Sequence, residues 1–121
     1  MKYQISKDEL TSRVEPGTYP ARVFRVKDKQ SANKNPMIVL IWKIEGDQPP
    51  AGLTVPENLT LIPESYFRLQ EVIEACGIED VIGDDGLDSK DLLEARCRIR
   101  VEYRDYEGKA RLNVAEHLPL V

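Results

Sequence analysis

Residues 96–104 alternate between apolar and basic side chains with a period of two. One set is apolar: Cys97, Ile99, Val101 and Tyr103. The other set is basic except for one acid: Arg96, Arg98, Arg100, Glu102 and Arg104. Successive side chains of a β-strand point to opposite faces, whereas a helix would mix the two sets around its surface. The stretch therefore predicts a strand that buries one face and presents arginines on the other.

The arginine face of this strand has two interpretations. Side chains on one face of a strand are spaced by roughly 6.5–7 Å, twice the rise per residue. That step is close to the phosphate spacing of an extended nucleic-acid single strand, so the face could follow a DNA backbone. The alternative is an ordinary solvated face of an antiparallel strand, whose arginines pair with acids on neighbouring strands.

The overall charge does not by itself suggest a nucleic-acid partner. The chain has 121 residues and a net charge of −4. Ten acidic and two basic residues fall between Glu64 and Glu94, however, so the rest of the chain carries a net charge of +4. Such an asymmetry fits a polyanion on one surface and acidic groups elsewhere.

The length corresponds to a single domain, residues 1–121, in which residues 1–16 form an N-terminal extension. The N-terminus lacks the apolar core of a secretory signal, and no apolar run is long enough to span a bilayer. Cys76 and Cys97 are too few for a disulfide framework, and we expect both to be reduced and buried. These features predict a cytoplasmic protein without a membrane partner.

Hydrophobic periodicity and turn residues predict five strands and one helix. The strands are expected at 18–27, 37–45, 53–61, 96–104 and 109–118, the last two joined by a hairpin around 105–108. Strand two is apolar on both faces, which indicates burial on both sides or a ligand on one. Pro56 indicates that strand three is an edge strand or carries a bulge. The helix is expected at 63–76, with proline in its first turn and Gly77 as its C-terminal cap.

Two shorter helical segments are also expected. Ser6-Lys7-Asp8-Glu9 matches a capping box, so a short helix is expected to run to about Val14. A further helical turn is expected at 89–94.

The order of the elements, three strands followed by a helix and two more strands, is that of an OB-fold. This fold is a mainly β, five-stranded and partly open barrel. The same elements could also form a different five-stranded α+β sheet.

The chain lacks the residue patterns of common catalytic and metal sites. His117 is the only histidine, and we expect it to be at the surface or structural. One histidine and two distant cysteines give no zinc spacing, and there is no glycine-rich phosphate loop. The acidic run around Asp84 and Asp85 does not fit the spacing of a calcium loop. We therefore expect a protein that is not an enzyme and that holds no cofactor and no metal.

The chemistry that remains is basic residues interleaved with aromatic ones, the combination that non-specific single-strand binders use. Cations contact phosphates, and each base stacked on an aromatic ring contributes roughly 1–3 kcal/mol. In an OB-fold the loops after strands one and four close over the ligand, and cations of this chain lie in both places. The expected DNA-binding residues are Arg22, Arg25, Lys27, Lys29, Lys34, Arg96, Arg98, Arg100, Arg104, Tyr106, Lys109 and Arg111.

Three aromatic residues are candidates for stacking against bases. Tyr106 lies at the tip of the last hairpin, where it is either a stacking platform or an exposed aromatic residue without a ligand. Phe24 and Trp42 are further stacking candidates, although aromatic residues within strands more often belong to a core.

Four short motifs follow one another along most of the chain, from about Gly17 to Pro119. They are Gly17-Thr18-Tyr19, the segment 31–40 that begins Ser-Ala-Asn-Lys-Asn-Pro-Met, Ala75-Cys76-Gly77-Ile78, and the segment 106–114 that begins Tyr-Glu-Gly-Lys. In order and spacing they resemble a family of small proteins encoded in phage replication and recombination regions, DUF669. The family's patterns for the last three are Ser-Lys-x-Gly-Asn-x-Met, Ala-x-Gly-hydrophobic and Tyr-x-Gly-Lys. That family is in turn similar to OB-fold single-stranded DNA-binding proteins.

The chain departs from the phage proteins in two places. The family commonly has Leu-x-Gly-Lys before strand four, where this chain has Leu92-Leu93-Glu94-Ala95. Many phage single-strand binders carry an acidic tail that recruits partners, whereas this sequence ends His117-Leu118-Pro119-Leu120-Val121. The resemblance therefore gives least guidance on two features: how the chain enters the arginine strand, and whether a tail recruits partners.

The resemblance implies a sequence-independent single-stranded DNA-binding protein that acts in phage replication or recombination, in the cytoplasm of the host. It leaves open whether the chain forms a homo-oligomer or contacts replication or recombination proteins. The alternative is a protein-binding OB module, such as a phage inhibitor or adaptor, whose arginine face contacts an acidic protein.

Overall fold

The five predicted strands and the predicted helix are all present in the computed structural model, which describes residues 1–4 and 14–121. The helix predicted to begin at Ser6-Lys7-Asp8-Glu9 lies outside the described residues. The strands are β1 (Gly17–Gln30), β2 (Pro36–Ile44), β3 (Thr54–Thr60), β4 (Arg96–Tyr106) and β5 (Lys109–Leu118). Short 3-10 turns occur at Pro63–Ser65, Glu79–Val81 and Ser89–Leu92, the last within the predicted segment 89–94.

All five strands belong to one antiparallel sheet with the order β3-β2-β1-β4-β5. The structure therefore confirms a mainly β, five-stranded architecture with one helix. Closure into a barrel would require β3 to pair with β5, and within the described part of the chain the sheet is open between these two edges. Pro56 lies in the edge strand β3, which pairs with β2 alone. Proline has no N–H to donate, and an edge strand tolerates this because its outer edge has no partner strand.

The α-helix of the described residues, α1 (Tyr66–Cys76), begins after the proline-containing turn Pro63–Ser65 and is capped by Gly77. Gly77 has φ 68°, a left-handed conformation that glycine adopts without the steric penalty of a Cβ, as predicted for the cap. Val72 and Ile73 are buried and anchor the helix to the sheet. No helix in residues 1–4 and 14–121 is long and apolar enough to cross a membrane.

The apolar face of β4 forms the centre of the core. Cys97, Ile99 and Val101 are buried, and they pack with Trp42, Leu40 and other inward residues of the neighbouring strands. Full burial of an aliphatic side chain of this size stabilises a fold by roughly 1.5–3 kcal/mol. The period of two in residues 96–104 therefore gave the correct orientation of the strand.

A β-bulge at Phe24 changes which residues of β1 face outward. Val23 pairs with Trp42 and Arg25 with Ile41, so Phe24 is an extra residue in β1. Before the bulge Ala21 and Val23 are buried; after it the even-numbered Val26 packs against the core. Residues on both sides of the bulge consequently share the outer face: Arg22, Phe24, Arg25, Lys27 and Lys29.

A second bulge has the same effect on β5. Arg100 pairs with Glu116 and Val101 with Val114, which leaves Ala115 unpaired. Val114 is buried before this bulge and His117 is buried after it. Of the two environments expected for His117, surface or structural, the structure shows the second.

Candidate nucleic-acid interface

The arginine face of β4 points away from the core, but most of its charge is neutralised by nearby acids. Arg96 Nε lies 2.7 Å from Glu45 Oε1. Arg100 Nε lies 3.1 Å from Glu116 Oε2, on the cross-strand partner in β5. These contacts are the acid pairing that the alternative interpretation of the face predicts.

The two ends of this face follow the same pattern. Arg104 Nε lies 3.2 Å from Glu102 Oε1, and the Arg22 guanidinium donates to both carboxylate oxygens of Glu94 at 3.0 and 3.2 Å. Arg98 differs, because its Nε donates to the carbonyl oxygen of Pro119 at 2.8 Å and leaves its charge uncompensated there. Exposed ion pairs of this kind are worth little and can open, yet they reduce the positive potential that a phosphate would meet.

The outer face of β1 beyond the bulge is different. Arg25, Lys27 and Lys29 are exposed, and no carboxylate of residues 1–4 or 14–121 lies within ion-pair distance of them. Their cross-strand partners in β2 are apolar: Ile41, Val39 and Met37. Directly opposite residues of an antiparallel pair lie on the same face, so a row of cations runs beside a row of apolar side chains.

The Phe24 ring lies where this row begins and is surrounded by cations. The guanidinium carbons of Arg22 and Arg25 lie 5.4 and 5.6 Å from the ring centroid, and Lys43 Nζ lies at 4.7 Å. Lys43 was not among the residues predicted from the sequence. Its alternation with Ile41, Val39 and Met37 on one side of β2 places it on this face, and its pairing with Arg22 brings it beside Phe24.

The residues of the last hairpin form a separate group. Tyr106 is 59% exposed, and the Arg111 guanidinium lies 5.4 Å from its ring centroid. Lys109 is paired with Tyr106 across the hairpin, and Arg111 is paired with Arg104. Glu107 and Gly108 both have positive φ, as the tight turn of a two-residue hairpin requires.

The structure does not bring the two basic hairpins together. β1 pairs with β4 through Gly17–Val101 to Arg22–Arg96, so the β1–β2 hairpin extends beyond one end of this ladder and the β4–β5 hairpin beyond the other. Lys34, at the tip of the first hairpin, is exposed and lies at the opposite end of the ladder from Tyr106. The predicted residues therefore fall into three groups: the β1–β2 arm, the acid-paired face of β4, and the Tyr106 hairpin.

The stacking role considered for Trp42 is wrong in this fold. Its side chain is 0% exposed, and its Nε1 donates to Glu57 Oε1 at 2.9 Å. A ring that is covered on both faces cannot accept a nucleobase. Trp42 is a core residue of β2.

Trp42 belongs to a buried polar cluster that was not predicted from the sequence. Glu57 in β3 accepts from Trp42, from Arg68 Nη2 at 2.7 Å and from His117 Nε2 at 2.8 Å. His117 Nδ1 lies 2.7 Å from Glu71 Oε1 in α1. The only signal in the sequence is Glu57 at an inward position between Val55 and Leu59, and nothing nearby in the sequence indicates its partners.

The charged groups of this cluster favour the ionised forms of their neighbours. Burial opposes ionisation of Glu57, but hydrogen bonds and charge from His117, with hydrogen bonds from Arg68 and Trp42, outweigh it and lower the pKa of Glu57. Burial also opposes a charged His117, but Glu57 and Glu71 outweigh it and raise the pKa of His117. Both ring nitrogens lie beside carboxylates, which only accept, so the imidazolium form fits the geometry. The cluster links β3, α1 and β5 and has the character of a structural element.

In comparisons with known proteins, no protein-family model matches the chain and no curated protein matches it.

Proposed function

We propose that this protein is an OB-fold, non-enzymatic, single-stranded DNA-binding protein of the phage replication and recombination type. The observation that carries the proposal is the outer face of the β1–β2 arm. There Arg25, Lys27 and Lys29, which have no carboxylate partner among the described residues, run beside the partly exposed Met37 and Ile41, with the buried Val39 between them. Cations that follow a phosphate backbone next to a surface for bases are the two components that a sequence-independent single-strand site needs.

The strand order supports the OB-fold part of the proposal. In such a barrel β1 pairs with both β2 and β4, and β3 and β5 approach each other at the remaining seam. The observed order has the first two pairings. At the seam, the side chains of Glu57 and His117 connect the two edge strands by a hydrogen bond of 2.8 Å. This contact supports a barrel-like approach of the two edges, although their backbones do not pair.

Two backbone conformations support the resemblance to the phage family. Lys34 has φ 63° and Glu94 has φ 67°, values that favour glycine over residues with a Cβ. Both stand where the family's patterns have glycine, in Ser-Lys-x-Gly-Asn and in Leu-x-Gly-Lys. At Glu94 the chain therefore differs from the family in the residue type, while the backbone of the turn still has a conformation that favours glycine.

The binding surface suits a single strand better than a duplex. A major groove takes a helix with basic or polar side chains. The only α-helix of the described residues, α1, exposes Glu74, directs Glu71 to the buried His117 and has no cation in its last turn. We therefore expect the protein to bind single-stranded DNA more tightly than a blunt duplex of equal length.

Fluorescence anisotropy with labelled oligo(dT) at several salt concentrations tests the proposal. Four contacts, from Arg25, Lys27, Lys29 and Lys43, predict a slope of log K against log salt near −3, at about −0.7 per contact. The double variant Lys27→Gln/Lys29→Gln should reduce this slope by about 1.4. Lys90→Gln is the matched control, because Lys90 is an exposed lysine in the acidic segment.

Two results would contradict the proposal. Equal or tighter binding to the duplex would exclude a single-strand site. A binding curve insensitive to salt would favour the alternative of an OB module that contacts a protein.

A further inference from the structure

Three cations converge on one aromatic ring at the bulge of β1. Arg22 and Arg25 flank Phe24 in the chain, and Lys43 reaches the ring from β2, where it pairs with Arg22. All three charged groups lie within 5.6 Å of the ring centroid, and Lys43 Nζ is nearest at 4.7 Å. The ring itself is only half-exposed.

The charges around Phe24 are not balanced. Glu94 compensates Arg22, but no carboxylate in residues 1–4 or 14–121 lies within ion-pair distance of Arg25 or Lys43. Like charges brought together repel each other, and long side chains could relieve this by turning into solvent. The attraction of each cation to the π face offsets the repulsion. The ring therefore concentrates positive charge that an anion would neutralise.

The cations also occupy the space that a stacked base would need. A nucleobase that stacked on the part of Phe24 that these cations cover would have to displace a guanidinium or an ammonium from the ring. The N–H groups at the edge of a guanidinium held against a ring remain free to donate, and so do those of an ammonium. The arrangement is better suited to an oxyanion beside the ring than to a base on it.

We propose that Arg22, Arg25 and Lys43 form a phosphate-binding subsite in which Phe24 is the positioning residue. The ligand class is a phosphodiester group of the DNA backbone, so the inference rests on the proposed function and assigns one contact within it. Phe24 acts through the cations that it holds. It does not stack a base.

Binding to two strands of equal length and charge tests this assignment: oligo(dT) and an abasic phosphodiester strand. Phe24→Leu should weaken binding to both strands by the same factor, about five- to tenfold, with a salt slope reduced by about 0.7 for each lost contact. Lys43→Gln should reproduce the change in slope, and Lys90→Gln should leave both affinities unchanged. Thermal unfolding of each variant shows whether it is folded, and Lys43→Gln keeps the test valid if Phe24→Leu unfolds.

A titration with tripolyphosphate, followed by NMR chemical shifts of the free protein, separates this inference from the proposed function. Shifts at Phe24 and Lys43 support the anion subsite even if oligo(dT) does not bind. Binding of oligo(dT) without those shifts overturns the subsite and leaves the proposed function standing. A Phe24→Leu variant that loses affinity for oligo(dT) but not for the abasic strand also overturns it, because that result is the signature of base stacking.

Discussion

His117 Nε2 lies 2.8 Å from Glu57 Oε1, and these two buried side chains join the opposite edges of the sheet. Glu57 belongs to β3 and His117 to β5, which make no backbone pairing with each other. Their side chains are 2% and 1% exposed, so the contact is removed from solvent. The pair thus holds together a seam that the backbone leaves open.

Glu57→Ala should strongly destabilise the protein. The substitution leaves a protonated His117 and Arg68 without their shared acceptor, and removal of one partner of a buried pair typically costs about 3–5 kcal/mol. Urea unfolding followed by circular dichroism measures the effect. Glu71→Gln is the control, because Glu71 is 41% exposed and its loss should cost much less. Equal effects of the two variants would contradict the role given to Glu57.

Stability should fall as the pH rises above the ordinary pKa of histidine, 6.5. The pKa of His117 is raised in the folded state, so its contribution is fully present below 6.5 and is lost as the pH passes through the folded value. The pKa of Glu57 is lowered, so its contribution is present above 4.5 and is lost as the pH falls through its folded value. The Glu57–His117 pair therefore contributes most to the stability of the fold between pH 4.5 and pH 6.5.

The free energy of unfolding, measured by urea titration at a series of pH values, tests this expectation. His117→Gln should be less stable than the wild type near pH 6.5 and should show a flatter decline above it. A wild-type stability that shows no decline above pH 6.5 would contradict a protonated His117 in the folded protein.

Ile99→Ala should destabilise the fold, whereas Arg98→Gln should not. Ile99 is fully buried, so truncation leaves a cavity and costs about 2–5 kcal/mol. Arg98 is exposed and, within residues 1–4 and 14–121, bonds only the carbonyl of Pro119, so its replacement should change stability by less than about 0.5 kcal/mol. Thermal and urea unfolding give both values, and the reverse ranking would mean that β4 is turned over.

The two basic surfaces should contribute unequally to DNA binding. Arg25→Gln should lower the salt slope for oligo(dT) by about 0.7, since no carboxylate of the described residues pairs with Arg25. Arg100→Gln should lower it less, because Glu116 and Glu102 already neutralise Arg100. Anisotropy titrations of the two variants in parallel decide between the surfaces. A larger effect of Arg100→Gln would show that DNA binds to the arginine face of β4 and not to the β1–β2 arm.

Glu94→Gly should raise both stability and DNA affinity. The residue adopts φ 67°, which disfavours a side chain by roughly 1–2 kcal/mol, partly offset by the greater freedom of glycine in the unfolded chain. Its removal also frees Arg22, whose ion pair is largely exposed and therefore weak. Glu94→Gln separates the two effects, because it should raise affinity without raising stability. A Glu94→Gly variant of unchanged affinity would show that Arg22 does not contact DNA.

The elements of this fold could be predicted from the sequence because their signals are local. The alternation in β4, the proline and glycine that bound α1, and the turn of the last hairpin each lie within a few residues. The bulges at Phe24 and Ala115 have no such signal, since neither position carries the glycine or proline that often marks an irregular strand. The outward direction of Lys27 and the burial of His117 both depend on them.

The acid partners of the arginines could not be predicted for a different reason. Glu45 and Arg96 are far apart in the chain, and only the register of β1 between β2 and β4 brings them within 2.7 Å. The sequence showed a row of arginines but not the row of carboxylates beside it. The same limit applies to Lys43, which belongs to the site only through its neighbours in β1.

The extra residue at Phe24 changes the parity of β1, so odd-numbered residues face the core before the bulge and face solvent after it. A chain that kept Phe24 but paired β1 with β2 without a bulge would have the same composition and the same net charge. Its Arg25, Lys27 and Lys29 would turn towards the side that Val26 now occupies, and Val26 would turn to solvent. A homologue that lacked Phe24 would instead keep Val23 opposite Trp42 and Arg25 opposite Ile41 in a regular ladder, and would present the same three cations without the ring beside them.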